Sequence, residues 1–225
     1  MNTKDLTALY RSRFGGREHF RQGVWRILAR EYFVRWIDRN ATILDLGCGY
    51  CEFINEIPAK KKYGMDLNPE AHRHAAKGVL VLEQDCSITW TLPDASLDVI
   101  FTSNFFEHLP DKTALESAIS EAFRCLKPGG RIISMGPNVK HITGAYWDFF
   151  DHHIPLTEKS VSEALANQGF GIEQCIGRFL PYTMSDGVKY PLWTLRVYLR
   201  FPPLWKLFGR QFLVIARKAA LSEAS

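Results

Sequence analysis

Residues 41–53 read Ala41-Thr42-Ile43-Leu44-Asp45-Leu46-Gly47-Cys48-Gly49-Tyr50-Cys51-Glu52-Phe53. Ile43, Leu44 and Leu46 make a short apolar run that reads as a buried parallel strand, with one carboxylate, Asp45, inside it. Gly47 and Gly49 follow, so the backbone can turn tightly there and approach a ligand with no Cβ in the way. A helix is expected directly afterwards, its free N–H groups facing the same spot. This is the constellation of a nucleotide site in an α/β sheet.

The flanking sequence extends that sheet. Residues 62–66 read as a second strand ending in Asp66, and Asn68-Pro69 as the start of a helix over 69–77. An acid about twenty residues past the glycines is placed to accept from both hydroxyls of a ribose. Gly78–Leu82 predicts a third strand, followed by Gln84-Asp85-Cys86. Residues 97–103 predict a fourth, ending in Asn104-Phe105-Phe106-Glu107-His108-Leu109-Pro110. Asp111 caps a helix to about 126, which Lys127-Pro128-Gly129-Gly130 stops before a fifth strand over 131–135. Thr157 caps another helix, to about Asn167. Residues 170–176 and 211–216 supply strands six and seven, with an insertion, 178–209, between them. Residues 1–40 read as a helical cap hinged at Phe14-Gly15-Gly16-Arg17, and 219–225 as a frayed tail.

Strand–helix alternation predicts a doubly wound parallel sheet, with the ligand over the carboxyl ends of the strands. Asp45, the glycines, Asp66, Asp85 and Asn104 all fall at or near such ends. A pyrophosphate is disfavoured: Glu52 stands where a dinucleotide fingerprint has its third glycine. The expected ligand carries an adenosine, a ribose diol and a positive group.

Composition sets the remaining bounds. At 225 residues, 46% hydrophobic and 23% charged, one α/β domain spanning 41–218 is expected behind the cap. No run approaches the roughly 18 apolar residues of a membrane span, and a cytoplasmic protein is expected. The five cysteines are odd in number and irregular in spacing, which suits reduced thiols. Cys48 and Cys51 make a C-x-x-C with no second ligand pair, so it reads as two small residues in a tight loop, and no metal is expected. The net charge of +4 is uneven: residues 178–218 hold eight Lys/Arg against one acid, Asp186.

Taken together, Leu44-Asp45-Leu46-Gly47-Cys48-Gly49, Asp66, Asp85-Cys86, Ser103-Asn104-Phe105-Phe106-Glu107-His108-Leu109 and Leu126-Lys127-Pro128-Gly129-Gly130 resemble the successive motifs of class I S-adenosylmethionine-dependent methyltransferases. The resemblance covers about 41–176 and the last strand. It is closest to the broad small-molecule and glycan subgroup with E-H-L after strand four and D-H-x-x-P-L-T before strand six. It implies a Rossmann-like seven-stranded sheet, helices on both faces, with its last strand antiparallel. It implies S-adenosylmethionine as cofactor, S-adenosylhomocysteine as product and no metal. Gly47, Cys48 and Gly49 would then meet the methionine part through backbone atoms, and Asp45 its ammonium. Asp66 would take the ribose hydroxyls, Leu67 pack on the adenine, and Asp85 take its amine beside Cys86. Asn104 and Phe105 would line the methionine side. The family has a further glycine where Cys51 stands.

Methyl transfer from a sulfonium chiefly requires in-line alignment of nucleophile, methyl and sulfur. A hydroxyl acceptor adds the need for a base, for which the candidates are His108 and, in the aromatic 146–153 loop, His152 or His153, with His153 taken as the second. The expected reaction is methylation of a small-molecule or glycan/lipid-linked acceptor at oxygen. A nicotinamide oxidoreductase would need the missing glycine, and a binding scaffold would keep the pocket without turnover. The insertion interleaves Trp193, Leu195, Val197, Tyr198, Leu199, Phe201, Leu204, Trp205, Leu207 and Phe208 with Arg196, Arg200, Lys206 and Arg210. It reads as an interfacial helix pair on anionic lipid through 178–210, at the inner face of the membrane, as a lid, or as a structural cap. Nucleic acid is disfavoured, since no aromatic-basic strand platform is present.

Overall fold

The computed structural model describes residues 18–182 and 190–220. The expected hinge at 14–17 lies outside them, as does most of the expected frayed tail. Seven strands form one mixed sheet of order β3-β2-β1-β4-β5-β7-β6. They are β1 Thr42–Leu46, β2 Lys61–Met65, β3 Val79–Leu82, β4 Leu97–Ser103, β5 Leu126–Pro137, β6 Phe170–Ile176 and β7 Gln211–Lys218. The chain divides into two compact units, Met1–Gln84 with Thr183–Pro202, and Asp85–Tyr182 with Pro203–Ser225. No helix among the described residues is long and apolar enough to cross a membrane.

In the first unit β1, β2 and β3 run parallel, with Leu44 opposite Tyr63 and Asp45 opposite Gly64. Gly64 is required by packing: a Cβ there would lie 2.8 Å from the Cys48 sulfur. Helix α1, Glu18–Ile27, buries Trp25 and Ile27, continues as a π turn over Leu28–Tyr32 and ends as a 3-10 turn over Phe33–Trp36. Trp25 and Phe33 meet the ring of Phe53 edge-on. Phe53 belongs to the short helix α2, Glu52–Glu56, which buries it with Ile54. The helix expected over 69–77 is a single turn, α3, Ala71–His74. Its Ala75 and Ala76 end instead in extended chain held by Asn55, whose side chain accepts from Ala76 N at 2.8 Å.

The second unit holds α4 Lys112–Cys125, α5 Val139–Ile142 and α6 Glu158–Asn167. Asp111 caps α4 by accepting from Ala114 N, and a Thr157–Ser160 capping box starts α6. Alanines 114, 118 and 122 bury one face of α4 with Leu115 and Ile119. β5 is parallel to β4 and antiparallel to β7, which is antiparallel to β6. The Lys127–Gly130 stop lies inside β5, which begins at Leu126 rather than 131. The helix does end there, but Leu126 already pairs with Leu97; the chain then bulges through Gly129, with φ of 80°, and the register slips between Leu97 and Val99 to admit the extra residues. The insertion contributes α7 Leu192–Arg200 to the first unit and α8 Pro203–Phe208 to the second.

Candidate active site

In the first unit the loop after β1 is shaped by its backbone. Gly47, Gly49 and Cys51 have φ of 74°, 51° and 59°, so alternate residues are left-handed. The loop is tied to the end of β2. Gly47 N and Cys48 N donate to Met65 O at 2.8 and 3.1 Å, and Gly49 N donates to Asp66 Oδ2 at 2.7 Å. Asp66 Oδ1 accepts from Asn68 N at 2.8 Å. Asp66 thus fixes the glycine turn as well as offering a carboxylate at the strand end. The position where the family has glycine does take a left-handed conformation, and Cys51 adopts it at a steric cost.

Asp45 is buried inside β1, and burial pushes its carboxyl well above the usual range, reinforced by the negative charges of Asp66 and Glu52 and countered by the Ile54 N–H. Such a group is poised to receive a cation. Glu52 is already engaged: Arg21 of α1, itself buried, bonds its carboxylate through Nε at 2.8 Å and through Nη2. The Arg21–Glu52 pair was not legible as part of the site, because its partners lie 31 residues apart on helices with no shared motif. Leu67, the expected adenine contact, is 47% exposed just past β2.

The C-x-x-C thiols are buried with their sulfurs 3.8 Å apart. The bond from Cys51 and burial raise the Cys48 thiol, with Asp45 adding to the shift. That environment disfavours a Cys48 thiolate.

In the second unit Asp85 is half-buried, its Oδ1 accepting from Ser87 N and Ser87 Oγ at 2.8 and 2.7 Å, with Cys86 buried beside it. Asn104 ends β4 with φ of 49°, and its Oδ1 is buried with no hydrogen-bond partner among the described residues. Phe105 next to it is half-buried. A 3-10 turn, Phe106–His108, then presents two titratable groups. His108 Nδ1 lies 3.1 Å from both Oδ2 and the backbone O of Asp151. Both are acceptors, so Nδ1 carries the proton and Nε2 the lone pair of the neutral ring. Burial opposes charge on His108, but the Asp151 bond and the Glu107 charge outweigh it, and its pKa is raised. Glu107 is fully buried, which pushes it up to about 7 against the pull of His108.

The ring beside His108 is that of His152, with centroids 4.8 Å apart. His152 is buried, its Nδ1 donating to Tyr146 O at 2.8 Å and its ring stacked on Phe149. His153, the expected second base, has an exposed side chain; its backbone N–H instead donates to Glu107 O at 2.8 Å. The structure therefore brings Asp151 and His152, not the His153 ring, to His108. The adjacent pair in Asp151-His152-His153 was the available signal, since two neighbours in an extended segment face opposite ways.

Residues 17–174 match the family model described as a methyltransferase domain. The chain belongs to this family, the class I S-adenosylmethionine-dependent methyltransferases. A protein of Mycolicibacterium smegmatis named "Probable S-adenosylmethionine-dependent methyltransferase" is 29% identical over 144 residues, covering 61% of this chain and 54% of the relative. The ubiquinone biosynthesis O-methyltransferase of Idiomarina loihiensis is 34% identical over 110 residues, 44% of each chain. The chain spans about half the length of the curated relatives it matches. A crystal structure of an S-adenosylmethionine-dependent methyltransferase from Archaeoglobus fulgidus shares the fold, with a TM-score of 0.65, 21% identity and coverage of 95% of this chain and 99% of that one.

The residues fit this cofactor. Buried Asp45 suits the amino acid ammonium, the left-handed glycine turn leaves backbone open to the methionine part, and Asp66 suits the ribose diol. When bound, S-adenosylmethionine supplies an electrophilic methyl group.

Proposed function

We propose that this methyltransferase methylates a hydroxyl of a small-molecule or glycan/lipid-linked acceptor, with His108 as general base. The Asp151–His108 pair carries this reading. Asp151 orients the ring and fixes its tautomer, so Nε2 is the atom that receives the acceptor proton as the oxygen becomes nucleophilic. The raised pKa of His108 lets it hold that proton near neutral pH. His152 packs edge-on against the His108 ring and is itself held by stacking on Phe149 and by its bond to Tyr146 O. The O-methyltransferase named among the relatives supports the oxygen assignment without naming the acceptor.

The test is transfer of labelled methyl from S-adenosylmethionine to a panel of phenols, catechols and glycans, with His108→Asn alongside. Transfer to a hydroxyl that falls about 10²–10⁴-fold in His108→Asn, with S-adenosylhomocysteine affinity kept, is the expected result. Turnover at an amine, or full activity in His108→Asn, overturns it.

A further inference from the structure

Helix α8, Pro203–Phe208, has no buried residue, yet it is held rigidly in the second unit. Trp205 meets the fully buried Phe179 edge-on at 5.2 Å. Gly209 ends the helix where nothing larger fits: a Cβ there would lie 2.5 Å from Trp205 O and 2.6 Å from the Arg178 carbonyl carbon. Arg178 Nη1 donates to Lys206 O at 2.7 Å, occupying a carbonyl of the last turn. These contacts leave Leu207 and Phe208 standing out, 69% and 53% exposed.

Positive charge surrounds them. Arg178, Lys206 and Arg210 are exposed, and Phe179 N donates to Gln211 O while Arg210 N donates to Leu180 O, which sets Arg178 and Arg210 on neighbouring stretches of chain. Arg210 Nη1 donates to His141 O at 3.0 Å. The guanidinium bonds of Arg178 and Arg210 go to neutral carbonyls, so their charges stay available. His141 registers the cluster: burial lowers its pKa, and Arg178, Lys140 and Arg210 lower it further. Within the group Lys140 is paired with Glu158, which leaves it less free. Elsewhere in the insertion Arg196 is tied to Glu31, so it contributes less free charge than composition suggests.

We propose that Leu207 and Phe208, ringed by Lys206, Arg178 and Arg210, form a peripheral contact with the anionic headgroups of a lipid bilayer. Two apolar tips enter the headgroup boundary while the long cations stay with the phosphates, the division of labour of an interfacial segment. The charge complementarity favours an anionic lipid over a protein partner. The absence of a flat aromatic stacking face among these residues favours it over nucleic acid. The α7 segment in the first unit presents the same mixture, with Trp193, Val197 and Phe201 exposed beside Arg200. The contact is independent of which acceptor is methylated.

The experiment is co-sedimentation of the full chain with vesicles of phosphatidylcholine alone or mixed with phosphatidylglycerol. Variants Lys206→Gln and Leu207→Asp/Phe208→Asp alter exposed side chains, and S-adenosylhomocysteine binding checks that they fold. Wild type is expected to bind the mixed vesicles about tenfold more tightly than the neutral ones, less so at high salt. The apolar double variant is expected to lose that binding, and Lys206→Gln to weaken it severalfold. Equal partitioning on both vesicles, unchanged binding by the double variant, or dimerisation through these side chains in light scattering would each overturn the proposal.

Discussion

The glycine turn of the first unit and the Glu107–His108 turn of the second both follow a strand, but they are specified by different means. The first is a backbone device: left-handed residues at 47, 49 and 51, tied by main-chain donors to Met65 O and Asp66. The second is a side-chain device: a short turn whose groups are oriented by Asp151, His152 and Tyr146 from a loop some forty residues away. A backbone device leaves its signature in consecutive residues. A side-chain device is assembled from segments whose meeting only the fold decides.

This difference orders the expected effects. Asp66→Ala strikes the backbone device twice, removing both the diol acceptor and the bond that holds Gly49 N. Titration calorimetry with S-adenosylhomocysteine is expected to show a loss of about a hundredfold or more, from charge-assisted hydrogen bonds of about 1.5–3 kcal/mol each. Retained affinity would mean that the ribose is held elsewhere. His108→Asn is expected to leave that affinity alone and lower turnover, so the two variants separate the two devices.

Asp151→Asn is the next test. His108 has a raised pKa in the folded protein, so its charged form contributes stability that is present below the ordinary imidazole value and fades as pH rises through the folded one. The neutral base appears over the same interval, and kcat/KM is expected to rise with pH there. Removing the Asp151 charge should move that limb to lower pH and cut the plateau roughly tenfold. Glu107 titrates nearby, at about 7, so Glu107→Gln in the same background assigns the limb. A profile that does not move in Asp151→Asn would make Asp151 a purely structural partner.

Asp45→Asn should cut the other way. Burial and the charges of Asp66 and Glu52 raise the Asp45 pKa, so ionising it in the ligand-free protein costs stability. The sign follows: stability falls as pH rises above the ordinary carboxylate value. Asparagine mimics the neutral acid, so the ligand-free variant is expected to melt a few degrees higher. The stabilisation by S-adenosylmethionine, measured as a thermal shift, is expected to shrink. A variant that melts lower would mean that Asp45 serves chiefly as a backbone acceptor in the loop.

The same contrast explains what could be read in advance. β4 and β6 fall where the apolar runs place them, and the capping residues Asp111 and Thr157 start α4 and α6 as expected. The turn at Gly47–Glu52 was legible because its chemistry is local. The helix after Asn68 was overestimated, since nothing in its composition reveals that the Asn55 side chain holds Ala76 in an extended segment. The start of β5 at Leu126 rather than 131 was missed, because Lys127-Pro128-Gly129-Gly130 stops a helix and has no apolar alternation to mark a strand. His152 and His153 could not be told apart in the sequence, so taking His153 was arbitrary; the Tyr146 carbonyl and the Phe149 ring are what hold His152 inward.

The smallest expected effect concerns Cys51. Its left-handed conformation costs an L-residue about 1–2 kcal/mol, which glycine would relieve. Glycine in turn loses about 0.5–1 kcal/mol to the greater freedom of the unfolded chain. It also gives up the packing of a fully buried sulfur that lies 3.5 Å from Ala71 O. The opposing terms nearly cancel, so Cys51→Gly is expected to change unfolding free energy in urea by less than about 1 kcal/mol. Cys51→Val adds both a methyl group in a fully buried site and a β-branch in the left-handed region, and it should be clearly less stable than either. If glycine proves strongly destabilising, the sulfur contacts rather than the backbone set the geometry here. The first turn would then be, in part, a side-chain device like the second.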